Sequence, residues 1–84
     1  MRKFECIVGD PLGIHARTAA SLASEARKYA SKIVMEADGE SVEVADLIGV
    51  MGLGVVYGQS ITLEFEGADE DAAFEGIRGI LTEL

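Results

Sequence analysis

Residues 32–44 read KIVMEADGESVEV, and how this stretch folds decides how the rest of the chain is laid out. Two β-prone runs flank Asp38-Gly39, the strongest short hairpin signal in the sequence, because both residues tolerate the positive φ that a two-residue turn needs. The hairpin sets a frame of antiparallel strands.

Outward from it, two further segments alternate with period two. Residues 3–8 place Phe4, Cys6 and Val8 on one side and end at the Gly9-Asp10-Pro11 turn signal. Residues 60–66 place Ile61, Leu63 and Phe65 inward between Thr62, Glu64 and Glu66. Helical periods fill the gaps. From Ala16 a stripe forms of Ala19, Leu22, Ala23, Ala26 and Ala30, and a short helix follows Asp46 as far as Val50 or Met51 before Gly52 and Gly54 break it. The last helix opens with the acidic ADEDAA at residues 68–73, suited to the positive end of a helix, and carries Ala73, Ile77, Ile80, Leu81 and Leu84. Gly76 and Gly79 each weaken it by about 1 kcal/mol relative to alanine, so packing must hold it.

The order β-α-β-β-α-β-α predicts an α+β fold: an open-faced sandwich of a four-stranded antiparallel sheet covered on one face by three helices. Eighty-four residues form one domain, 1–84, with a single modest core and no room for a deep two-lobed cleft. The chain is 49% hydrophobic, yet no apolar run approaches the roughly 20 residues of a membrane span, and no signal-peptide pattern opens it. A soluble cytoplasmic protein without membrane insertion is expected. One cysteine excludes an internal disulfide, and Cys6, among Phe4, Ile7 and Val8, reads as a buried strand thiol. A formal charge of −8 argues against nucleic acid, whose phosphates would repel the chain, and favours partners with basic patches.

The chemistry concentrates at residues 13–23, GIHARTAASLA, which hold the only histidine. With a helix starting at Ala16, the N–H groups of Ala16, Arg17 and Thr18 lack partners inside it and form an anion cradle at the positive end of the dipole. Arg17 adds a planar charge that matches phosphate oxygens. A neutral imidazole beside such a cradle suits a phosphoryl acceptor. From spacing alone, His15 serves equally well as a plain helix cap.

LGIHARTAA at residues 12–20 followed by LIGVMGLGV at residues 47–55 resembles the HPr family of histidine-containing phosphocarriers of the bacterial sugar phosphotransferase system, with its nitrogen-branch relatives. The similarity extends over essentially the full chain. It implies a cytoplasmic monomer, without cofactor or metal, that accepts a phosphoryl group from enzyme I and donates it to an enzyme IIA domain. It further implies that His15 is phosphorylated, on Nδ1, and that Arg17 assists transfer. Leu47, Ile48 and Met51 match the apolar patch that docks partners together with Ala20, Ser24 and Arg27 on helix one. Without the resemblance, Leu47, Ile48 and Met51 read as core, as do Met35 and Phe65.

Two departures stand out. Many family members have proline where this chain has Thr18; proline fits an early helical position, and threonine restores a donor, so the change is expected to be tolerated. Asp46 matches a serine that a dedicated kinase modifies in many Gram-positive bacteria. It reads first as a permanent helix cap, and second as a built-in negative charge able to weaken docking to an acidic surface. Two other functions compete with the carrier. One is a regulatory interaction module of the same fold that carries no phosphate. The other is a small hydrolase using His15 as base, which lacks a neighbouring carboxylate, serine or metal-ligand set; Asp10, before proline, reads as turn chemistry.

Overall fold

A computed structural model describes residues 1–82. The elements run β1 (Arg2–Ile7), α1 (Ala16–Ala26), β2 (Lys32–Ala37), β3 (Glu40–Glu43), α2 (Leu47–Gly52), β4 (Ser60–Glu66) and α3 (Glu70–Thr82). The strands form one antiparallel sheet in the order β1-β4-β2-β3. This is the expected α+β open-faced sandwich.

The hairpin that anchors it turns at Asp38 and Gly39, with φ of 52° and 78°, so both central residues occupy the left-handed region that a type I′ turn demands. Register follows from the turn: Ala37 pairs with Glu40 and Met35 with Val42. On the inner face of the sheet Ile33, Met35, Ile61, Leu63 and Phe65 are buried and Phe4 and Cys6 half-buried, whereas the outer face shows Lys3, Glu5, Ile7 and Glu36 to solvent. Burial leaves the Cys6 thiol with a raised pKa, consistent with an inert strand residue. The helices lay Leu22, Val50 and Ile77 onto the inner face. Each fully buried large side chain contributes about 1.5–3 kcal/mol.

Two contacts set the positions of the helices. Phe74 on α3 meets Phe4 and Phe65 edge-on at centroid distances of 5.6 and 5.7 Å, and the Arg2 guanidinium lies 3.9 Å from its ring centre while also pairing with Asp71 at 3.0 Å. At the end of α1, the Asp69 carboxylate accepts hydrogen bonds from the Ser31 hydroxyl and from the backbone N–H groups of Ala30 and Ser31, which holds its pKa below the usual carboxylate range. α1 therefore ends earlier than its apolar stripe suggests. Lys28 and Tyr29 bond back three residues, to Glu25 and Ala26, and Ala30 is exposed in the connection, its N–H taken by Asp69 rather than by the helix. On α3, Ala73, Ile77 and Leu81 are buried and Ile80 packs at the margin; Leu84 lies outside the described residues.

Candidate functional site

The segment before α1 is a tight turn bolted to the loop after α2. Asp10 caps its own turn: its carbonyl accepts from Gly13 N–H at 2.8 Å, and its Oδ1 from Leu12 N–H at 2.9 Å. Ile14 N–H then donates to the Val55 carbonyl at 3.1 Å. The chain enters α1 at His15, whose extended backbone makes it the N-cap and whose carbonyl accepts from Ala19 N–H at 2.9 Å. The N–H groups of Ala16, Arg17 and Thr18 precede that first helical bond and have no intrahelical acceptor. The imidazole itself caps nothing. His15 is thus a cap through its backbone only, which leaves the ring for other work.

The ring is held from one side. Its Nε2 lies 3.1 Å from Thr18 Oγ1 and 3.3 Å from Asp10 Oδ2, and its side chain is 30% exposed. Among the described residues no hydrogen bond reaches Nδ1. Thr18, only 4% exposed, turns its hydroxyl to the ring, whereas Arg17 is exposed and makes no ion pair among the described residues. The sequence reading missed both contacts to Nε2. From sequence, Thr18 offers only its N–H and Asp10 reads as turn chemistry. Asp10 performs both tasks, one oxygen for the turn and one for the ring. The expectation that no carboxylate neighbours His15 is therefore wrong. The signal was the turn itself: a proline and a glycine between Asp10 and His15 fold the chain back.

Ala20, Ser24 and Arg27 are exposed and, with Arg17, follow one stripe of α1, spaced as a helical face requires. The Arg27 guanidinium also donates to the Ala45 carbonyl at 2.9 Å, tying this stripe to the start of α2. There the Asp46 carboxylate accepts from Gly49 N–H at 3.0 Å, as a helix cap does. Ile48 is 76% exposed and Met51 44%, so neither belongs to the core as residue type alone suggested; Met35 and Phe65 do. Leu47 is divided between the two roles, half-buried against the core. Leu12, 75% exposed, and the exposed Val56 flank the His15 turn and extend the apolar surface; the sequence reading did not single them out.

Fold and site together define a small open-faced α+β domain with one partly exposed histidine, 30% accessible, at a helix start. The chain belongs to the phosphocarrier HPr family of the phosphotransferase system: the family model described as "PTS HPr component phosphorylation site" matches residues 2–83. Phosphocarrier protein HPr of Lysinibacillus sphaericus is 42% identical over 84 residues, covering 100% of this chain and 96% of that protein. The histidine-containing phosphocarrier protein of Mycoplasma superposes with a TM-score of 0.95 at 33% identity, covering 98% of this chain and 93% of its own. Crh of Bacillus subtilis, described with a swapping domain as a dimer, is 32% identical with a TM-score of 0.77, covering 99% of this chain and 95% of its own.

Within the described residues, no helix is long and apolar enough to cross a membrane.

Proposed function

We propose that this protein accepts a phosphoryl group on His15 Nδ1 from phosphorylated enzyme I and passes it to an enzyme IIA domain, working as a single cytoplasmic domain and as a monomer. The observation that carries the reading is the disposition of the ring: Nε2 faces protein groups, Nδ1 has no hydrogen bond among the described residues, and the ring stands at the N-cap of α1, whose first three N–H groups have no intrahelical acceptor. Those N–H groups and Arg17 receive the charge that arrives with the phosphoryl group. A ring that stands 30% exposed at the helix start holds that group at the surface, which favours onward transfer. Partners dock over the Arg17, Ala20, Ser24 and Arg27 stripe and the apolar side chains of Ile48 and Met51. Incubation of the phosphorylated protein with a purified enzyme IIA domain tests the second half: phosphate should leave His15 and reach the acceptor. Retention of all label on His15 against every such domain would overturn the transfer half of the reading, whereas a protein that takes no label at all would favour the regulatory module.

A further inference from the structure

Asp10 offers more than a turn. Its carboxylate is only 19% exposed, and its Oδ1 is fixed by Leu12 N–H, so Oδ2 has little freedom and points at His15 Nε2 from 3.3 Å. An ionised carboxylate only accepts hydrogen bonds. If Nε2 carried its lone pair, that pair would face the Oδ2 lone pairs at contact distance; if Nε2 carries the proton, the ring donates toward Asp10 and Thr18 Oγ1, and the contact becomes attractive. The Thr18 hydroxyl can donate or accept and adapts to either tautomer. Asp10 cannot.

We propose that Asp10 is a positioning residue that fixes His15 as the Nε2–H tautomer, so that the nucleophilic lone pair sits on Nδ1 and the reaction is confined to that nitrogen. This rests on the carrier reading for its consequence in rate, though not for the tautomer itself. In the transfer, the Nδ1 lone pair forms the bond to phosphorus while the bond from phosphorus to the donor's leaving atom breaks, its electron pair departing with the donor. The proton stays on Nε2 throughout. The ring therefore carries a positive charge as the new bond forms, and Asp10 Oδ2 is the negative group beside it. The same contact orients the ring plane, since the turn anchors Asp10 on the chain just ahead of α1.

Asp10→Asn separates this role from the turn. The amide oxygen still accepts from Leu12 N–H, but the group facing Nε2 becomes an NH₂ donor, which selects the opposite tautomer. Long-range ¹H–¹⁵N spectra of the imidazole in basic solution, where a histidine ring is neutral, should show Nε2–H in the parent protein and a shift toward Nδ1–H in Asp10→Asn. Phosphoryl acceptance from enzyme I should fall roughly tenfold or more in the variant, as when the outer partner of a functional histidine is removed. Asp10→Ser, which keeps a turn acceptor and loses the carboxylate, should give a mixture of tautomers and provides the test if the asparagine variant folds poorly. An unchanged tautomer in the folded variants overturns the proposal, and so does a switched tautomer with an unchanged rate. The spectra need no phosphoryl donor. Should the parent protein accept no phosphate at all, the carrier reading fails while the tautomer result stands by itself.

Discussion

A Cβ on Gly13 would stand 2.3 Å from the carbonyl oxygen of Val55 and 2.8 Å from the Cα of Val56, and Gly13 already takes a φ of 68°. The Val55 oxygen is the one that accepts from Ile14 N–H. Two short motifs, one around His15 and one ending α2, are thereby a single object: the second is the wall against which the first is set.

Gly13→Ala should therefore cost about 2 kcal/mol or more of folding stability, from left-handed strain and from a clash with backbone that cannot rotate away. Urea unfolding measures it. Acceptance of phosphate should also slow in the folded variant, because relief of the clash moves the turn that carries Asp10 and leads into His15. Unchanged stability would show that the two segments are not held in this contact.

Thr18→Pro removes the hydroxyl at Nε2 and one of the three cradle N–H groups, together worth about 1 kcal/mol, and should leave acceptance within about fivefold of the parent because Asp10 still faces Nε2 and the N–H groups of Ala16 and Arg17 remain. Initial rates with enzyme I decide this. A much larger loss would place the Thr18 hydroxyl, rather than Asp10, in control of the ring.

Asp46→Ala should lower stability by about 1 kcal/mol through loss of the bond to Gly49 N–H, whereas Asp46→Ser, which keeps a cap, should stay within a few tenths. Transfer rates should be equal in Asp46→Ser and the parent if capping is the whole role. A faster rate in the serine variant would show that the aspartate charge weakens docking.

The pH dependence of stability has a defined sign at Asp69. Its carboxyl is held below the ordinary aspartate value by the Ser31 hydroxyl first and the Ala30 N–H next, so its contribution is fully present above that value and is lost as acid protonates the folded form below it. Glu25, lowered from 4.5 by Tyr29 and then Lys28, acts in the same direction. In acid unfolding, the stability lost as pH falls below the ordinary aspartate value should accordingly be smaller in Asp69→Asn than in the parent. An equal loss in both would contradict the assignment.

The parts of the fold that were legible in the sequence are those where local chemistry leaves few choices. Asp38-Gly39 admits a type I′ turn, Asp46 caps the helix after it, and alternation from Ser60 to Glu66 fixes one buried face. What stayed hidden depends on distant partners. Nothing near Ala30 in the sequence announces that Asp69, 39 residues away, captures its N–H and ends α1 before the alanine stripe does. Met51 and Ile48 have the chemistry of core residues and are exposed because α2 is a single short helix that buries Val50 fully and Leu47 only in part. At the site, His15, Arg17 and the three N–H groups follow from the helix start. The Asp10 contact does not, because it requires the turn to fold back over five residues.

On the proposed function, His15 receives the phosphoryl group. Incubation with enzyme I and labelled phosphoenolpyruvate, followed by peptide mapping under alkaline conditions, tests it directly. One acid-labile phosphoryl group is expected on His15, absent from His15→Ala and acquired roughly 10²-fold more slowly by Arg17→Ala, with part of that rate recovered in Arg17→Lys. No label on the parent protein, or label that persists in His15→Ala, would contradict it.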